Sequence, residues 1–385
     1  MWQHALMFPD ADGDWSWARR REMGLPHLVR LLVTLRRAGI AHVAFPPQSE
    51  TLQPWLQQVA AEKDLPHLFW GDRRVWPASA TRVPVLGIRG GILFTPQLLR
   101  WFHTALGRET TGKAITPGGD GVPVLVSFHV TEAIPADLHG VTLAQLASAG
   151  DTPALSIPAG TFCLPIEALE QPGGARALLT AVGKPTDRWH VAWVRQWTFP
   201  ALRWLARTGI TPNQVSVAGF AVALGGCLVL AQGHYWSGLV GAVLLYASWV
   251  LDCMDGTLAR LTLAESAFGA TLDTVLGHVS NLSIFAALIW AVYGRGPLWQ
   301  EAAMAVGILG GIIIASLTTT KVNQIQGQQS TAAERLKRFL AKINHRDYAV
   351  WLFLLALTNS IALFLWLSLV GVHIYWLLQL WLIRR

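Results

Sequence analysis

Three carboxylates lie where an apolar chain should not carry them. Asp252, Asp255 and Asp273 fall inside hydrophobic runs of membrane-spanning length, where an ionised group costs several kcal/mol unless it is paired, hydrated or metal-bound. They call for a cation. Asp252 and Asp255 are three apart and so share one face of a helix, and Gly256 and Ala259 leave that face bare enough for a phosphate to approach the backbone. Asp273 projects from a second run, with Gly269 one turn before it and Gly277 one turn after it. Two helices presenting carboxylates to each other would clamp a divalent metal, and hard oxygen ligands favour Mg²⁺ or Mn²⁺ over zinc.

The elements that must hold these groups are membrane helices. The chain has 385 residues, of which 52% are hydrophobic and 14% charged, and its mean hydropathy is +0.38. That is too apolar for an ordinary soluble enzyme. Nineteen tryptophans point to contact with lipid headgroups. Cys163, Cys227 and Cys253 are isolated, which excludes a disulfide scaffold and disfavours structural zinc. The net charge of +7 is not gathered into a basic tract interleaved with aromatics, so anionic lipid or a phosphorylated substrate fits better than nucleic acid.

Before about residue 200 the apolar stretches are short and broken by Pro, Gly and charge; after it they are long. At about 20 apolar residues per span, six transmembrane helices are expected, near 213–232, 236–260, 267–293, 298–320, 346–358 and 361–383. The break at Thr358, Asn359 and Ser360 leaves one alternative, a single kinked helix. With six spans, Lys321, Arg335, Lys337, Arg338, Lys342 and Arg346 share one loop, and Arg384 and Arg385 end on the same side, which the positive-inside rule makes cytoplasmic. The expected protein is multi-pass in the inner (cytoplasmic) membrane, with its N-terminal half and its C-terminus in the cytoplasm. Met1 to Asp14 carry no basic region followed by an apolar core, so no signal peptide is expected. Residues 186–209 mix Trp189, Trp193, Trp197 and Trp204 with Arg188, Arg195, Arg203 and Arg207, as in an interfacial helix interrupted at Pro200; an ordinary amphipathic linker reads the same way.

The run Asp252-Cys-Met-Asp255-Gly256-Thr-Leu-Ala259-Arg260, followed after eight residues by Gly269-Ala-Thr-Leu-Asp273, closely resembles the signature of the CDP-alcohol phosphotransferases. The resemblance implies six transmembrane helices, a homodimer, and a two-metal site that moves a phospho-alcohol from a CDP-alcohol donor to a hydroxyl acceptor and releases CMP. It makes Asp252, Asp255 and Asp273 metal ligands, with Asp273 also catalytic. It places Arg260 against phosphate, although a snorkelling anchor is equally compatible. Pro212-Asn213-Gln-Val-Ser216 is similar to the family's element beside the cytidine, which implicates Asn213 and Ser216; Ser216 also suits a helix N-cap. One position departs from the pattern. The family's fourth Asp, a metal ligand and general base, falls at Gly277, which has no side chain to take a proton. His278, Asn281, a group of a partner or the acceptor's own phosphate would have to substitute, and a pseudoenzyme that binds CDP-alcohol and metal as a regulatory or structural subunit is the rival reading.

For the acceptor, a polyol or polyol phosphate, Lys321 and Arg346 are the candidate cationic residues; they also serve as topology-setting charge. The front half alternates strand and helix. It looks like a nucleotidyltransferase domain, Rossmann-like, of the kind that precedes the transferase in fused inositol-phosphate cytidylyltransferase/di-inositol-phosphate-phosphate synthases, with Gly183-Lys184-Pro185-Thr186-Asp187 at the junction. Its first strand, however, leads to Asp10, Asp12 and Asp14 in place of a Gly-rich phosphate loop, and Val85–Arg89 runs into Gly90 and Gly91 without a metal-binding Asp. The fold class expected is therefore a cytosolic α/β domain (1–185), expected to lack nucleotidyl transfer in view of those losses, then a juxtamembrane helix (186–209) and a transmembrane α-helical domain (210–385) that meets membrane lipids.

Overall fold

The structure is a computed structural model that describes residues 2–10, 14–60, 63–70, 84–107, 111–115, 123–129, 142–148, 153–159, 161–183, 189–324 and 348–384. It separates into two compact units. One comprises Met1–Gly183 with Ala206–Thr208 and Leu261–Leu263; the other comprises Lys184–Leu205, Gly209–Arg260 and Ala264–Arg385.

The first unit is α/β. Its strands in chain order are β1 (His4–Phe8), β2 (Arg21–Glu22), β3 (Leu25–Pro26), β4 (His42–Phe45), β5 (His67–Trp70), β6 (Pro84–Arg89), β7 (Ile92–Phe94), β8 (Gly112–Ile115), β9 (Leu125–His129), β10 (Ala154–Ser156) and β11 (Cys163–Pro165). Seven of them form one mixed sheet in the order β10-β8-β9-β6-β1-β4-β5, in which only β9 runs antiparallel to its neighbours. All five residues of β1 are buried, as a central parallel strand requires when both faces are covered. Helices α1 (His27–Arg37), α2 (Gln53–Ala60), α3 (Pro96–Leu106), α4 (Leu143–Ser148), α5 (Ile166–Glu170) and α6 (Pro172–Ala181) connect or cover the strands.

In such a sheet the ligand crevice lies beyond the carboxyl ends of the strands where the crossovers change direction, here between β1 and β6. Asp10 and Asp14 spend their hydrogen-bonding capacity locally. The Asp14 N–H donates to Asp10 Oδ1 at 2.8 Å, and the Trp15 N–H donates to Asp14 Oδ1 at 2.6 Å. The Ser16 hydroxyl, followed by the Trp15 N–H, holds the Asp14 carboxyl below its ordinary range. Gly90, just after β6, faces the buried Trp17 indole: a Cβ there would lie 2.6 Å from that ring and 2.6 Å from the Phe8 carbonyl oxygen. An indole thus sits at the switch point of the sheet.

The second unit is helical: α7 (Trp189–Trp197), α8 (Phe199–Thr208), α9 (Pro212–Leu230), α10 (Tyr235–Leu261), α11 (Ala267–Tyr293), α12 (Leu298–Gln324), α13 (Tyr348–Leu357) and α14 (Ile361–Ile383). Five of them, α9, α10, α11, α12 and α14, are long and apolar enough to cross a membrane. The expected span at 346–358 is described over ten helical residues, about 15 Å of helix, which is too short to be counted as a sixth on its own length. The interruption after it is a true break and not a kink, because Asn359 takes a left-handed φ of 57°. The α7–α8 break falls at Thr198, with Pro200 in the first turn of α8, where its missing N–H costs nothing.

The register of the site is set by caps. Thr211 and Gln214 form a capping box at the start of α9, with Pro212 in its first turn, so Asn213 is held at the helix mouth. The Ser266 side chain accepts from the Gly269 N–H at 3.0 Å and starts α11. Small residues bring α9 and α10 together: a Cβ at Gly219 would lie 3.3 Å from Leu251 Cβ, and one at Gly241 only 2.7 Å from Leu230 Cβ. Close backbone approach of this kind is how membrane helices gain packing energy where lipid is as apolar as leucine.

Candidate active site

Each of the three helices α9, α10 and α11 turns a polar or small stripe toward one small, solvent-open cavity, lined by Ser216, Gly219 and Phe220, by Ser248, Asp252 and Asp255, and by Asp273, Leu276, Gly277 and Ser280. The spacings are those of single helix faces, i to i+3, i+4 and i+7. Asp255 is 5% exposed, and Ser216 Oγ lies 2.5 Å from its Oδ2. Ser216 is therefore not an N-cap; it is the second residue of a hydroxyl–carboxylate pair between α9 and α10. The Ser248 hydroxyl donates to the Gly219 carbonyl at 2.8 Å, which ties the same two helices one turn further into the membrane. Asp273, in the second turn of α11, is exposed.

At the mouth, Asn213 Oδ1 sits 2.9 Å from the place a Cβ on Gly269 would take. The glycine of the second half-motif thus makes room for the asparagine of the first helix. Arg260 lies along α10, with its Nη1 3.5 Å from the Cβ position of Gly256 and its Nη2 donating to Thr257 Oγ1 at 3.4 Å. Ala259 keeps the adjoining surface small, and its carbonyl accepts from the Ala264 N–H at 2.9 Å in the turn between α10 and α11.

Other expected residues stand apart. His278, the substitute base, is exposed and absent from the cavity lining, because one residue past position 277 is about 100° round the helix. Asn281 accepts the Tyr348 hydroxyl at 2.7 Å. Lys321 is exposed near the end of α12, and Asp12, Arg346 and residues 184–187 of the junction lie outside the described residues. Ser248 and Ser280 belong to the lining but to no motif of the sequence; their one signal is a spacing of four before Asp252 and seven after Asp273.

A divalent ion fits the donor set by chemistry: three carboxylates and three hydroxyls, all hard oxygen, line one cavity, and a buried Asp255 beside two more carboxylates needs opposite charge. Among the described residues no three His, Cys, Asp or Glu side chains already converge as a finished ligand set. The aspartates share a cavity and would close on an ion by rotation of their side chains.

Residues 209–378 match the family model described as CDP-alcohol phosphatidyltransferase. A phosphatidylinositol phosphate synthase of Mycobacteroides abscessus is 30% identical over 141 residues, covering 36% of this chain and 59% of that one. A bifunctional IPC transferase and DIPP synthase of Aquifex aeolicus is 24% identical over 229 residues, 59% of this chain and 52% of that one. An archaetidylinositol phosphate synthase of Pyrococcus horikoshii is 36% identical over 80 residues, 21% of this chain and 41% of that one. The chain spans about half the length of these curated relatives. The Aquifex match is longer than everything from residue 184 onward, so it reaches into the α/β unit.

Proposed function

On the premise that residues 209–378 form a domain of the CDP-alcohol phosphatidyltransferase family, we propose that the chain transfers a phospho-alcohol from a CDP-alcohol, of the CDP-diacylglycerol or CDP-inositol type, to a hydroxyl of a polyol or polyol phosphate and releases CMP. The observation that carries this reading is the single cavity shared by Asp252, Asp255 and Asp273 with Ser216. Curated relatives named phosphatidylinositol phosphate synthase and archaetidylinositol phosphate synthase support the acceptor class.

In this reaction the acceptor oxygen bonds to the phosphorus of the phospho-alcohol as the bond to CMP breaks, and the acceptor's proton must leave. Asp252, Asp255 and Asp273 would hold Mg²⁺ or Mn²⁺, which would neutralise diphosphate charge and stabilise the departing CMP. Asn213 and Ser216 border the cytidine; Ser216 also fixes the rotamer of Asp255. Gly256 and Ala259 admit phosphate close to the backbone, and Arg260 flanks it. Lys321 and Arg346 belong to the acceptor side. With glycine at 277 and His278 turned away, the exposed carboxylate of Asp273 is the cavity group best placed to accept the proton. The α/β unit serves as a nucleotidyltransferase-like scaffold without nucleotidyl transfer, since Trp17 occupies its switch point. The lipid-facing helices, a second copy of the chain and a cytoplasmic α/β unit complete the assignment.

The vacancy at Gly277 favours a second reading, a member that binds CDP-alcohol and metal without turnover. One experiment separates the two. Purified full-length protein is given Mg²⁺ or Mn²⁺, labelled CDP-diacylglycerol or CDP-inositol, and polyol phosphates. CMP release that falls to background in Asp255→Ala supports transfer; nucleotide binding without CMP release establishes the second reading.

A further inference from the structure

Arg195 is a buried guanidinium, 6% exposed, on a helix whose tryptophans Trp193 and Trp197 are 53% and 70% exposed. A charge turned inward from an amphipathic helix is costly unless its hydrogen bonds are specified. Arg195 Nε donates to Thr257 Oγ1 at 3.3 Å. That oxygen belongs to a residue 1% exposed, two positions after Asp255, and Arg260 Nη2 donates to the same oxygen at 3.4 Å. The Thr257 proton goes to the Cys253 carbonyl at 2.8 Å. A hydroxyl has one proton and two lone pairs, so Thr257 is saturated, and it fixes two guanidiniums at once. The α7 helix is held there by apolar contacts as well: Val194 packs with Trp249 and Ala349 in a small buried cluster.

The consequence reaches the cavity through Arg260. Its other terminal nitrogen lies over Gly256, the residue that follows Asp255 in α10, 3.5 Å from the Cβ position. Arginine carries several rotatable bonds, and ordering such a side chain costs conformational entropy; a prearranged guanidinium binds phosphate without that cost.

We propose that Arg195 is a positioning residue for the nucleotide: through Thr257 it holds the Arg260 guanidinium over Gly256, where it meets the diphosphate of a CDP-linked donor. This rests on the transferase reading of the cavity. It makes α7 part of the binding site and more than an anchor in the headgroup layer.

Binding of CDP to the full-length chain with Mg²⁺, measured by calorimetric titration, tests the inference without requiring turnover. Thr257→Val keeps the side chain's shape and removes the node, and it should weaken CDP about tenfold, the order expected for losing a hydrogen bond to a charged group. Arg195→Gln should do the same, and each combined with Arg260→Gln should be no worse than Arg260→Gln alone. Thr257→Ser should restore affinity to within about twofold. Leu365→Ala, in the apolar core of the helices away from α7, should lower the melting temperature and leave CDP affinity unchanged. Wild-type affinity in Thr257→Val, additive losses with Arg260→Gln, or an equal loss in Leu365→Ala overturns the inference alone. A wild-type chain that binds no CDP overturns both this inference and the transferase reading.

Discussion

Gly277 decides what the cavity can do. It lies on the lining of the site, four residues after Asp273, at a place from which a carboxylate of α11 would face the same cavity as the other three. Removing a general base costs on the order of 10²–10⁴ in rate, so Gly277→Asp should raise single-turnover CMP release by about 10²-fold; no gain would mean that the proton already has an adequate acceptor, such as Asp273 or the acceptor's phosphate. Gly269 makes a contrasting case, because its lack of a side chain is used. A Cβ there would meet Asn213 Oδ1 at 2.9 Å, while alanine is the better helix former by about 1 kcal/mol. Gly269→Ala should therefore leave the melting temperature unchanged or raised and still weaken CDP binding. A variant that loses stability and affinity together would place Gly269 in the packing of α11 and not at the nucleotide. The three aspartates were legible in the sequence because charge at fixed spacing inside an apolar run persists only where something neutralises it, and Asn213 and Ser216 through the resemblance of the run that opens α9. Ser248 and Ser280 were not, since a membrane helix tolerates serine anywhere that its hydroxyl can bond back to the preceding turn.

At the scale of elements, the long helices follow from run length alone, whereas α13 does not: ten apolar residues followed by a polar triplet can be read as half of a kinked helix, and only the left-handed Asn359 separates it from α14. Likewise, nothing in the sequence distinguishes the arginine of α7 that turns inward from those that face headgroups. The α/β unit adds a titration that its strand pattern does not announce. His27 opens α1 at 1% exposure, with neither ring nitrogen hydrogen-bonded, and burial, aided by Arg30 and Arg20, lowers its pKa to about 4. The unfolded histidine, near 6.5, takes up a proton before the folded one does. Stability is therefore fully present above about pH 6.5 and is lost as pH falls toward 4, by up to about 3 kcal/mol. His4 and His42, stacked at 4.9 Å between ring centroids, are lowered first by burial and then by neighbouring positive charge, which adds in the same direction. Hydrogen exchange of α1 in the whole protein, corrected for the intrinsic pH effect, should show protection falling between pH 6.5 and 4.5, and His27→Gln should flatten that fall. Equal protection at both pH values would show that α1 does not feel the charge on His27.

For the whole molecule, the helix connections fix which groups share a membrane face. The α9–α10, α10–α11 and α11–α12 links are short, so successive helices alternate in direction. Asp252 and Asp255 fall in the last turns of α10, and Asp273 in the second turn of α11, which puts the cavity at the end of the bundle that holds the 262–266 link. Alternation carries Lys321 near the end of α12 to that same face, with the gap between α11 and α12 at the other. Under the proposed orientation, the excess of Lys and Arg between residues 321 and 346 makes that face cytoplasmic, the side on which CDP-linked donors and phosphorylated polyols would be met in water. Single cysteines introduced into a Cys253→Ser chain test the arrangement against a low background, because burial pushes the Cys163 thiol up to about 12, leaving little of the reactive thiolate, and Cys227 is buried. His234 and Glu265 are both exposed at opposite ends of α10 and its links. An impermeant maleimide applied to intact cells should label His234→Cys, and should label Glu265→Cys only after permeabilisation. The reverse pattern would turn the bundle over and put the aspartate cavity on the side where no nucleotide is supplied.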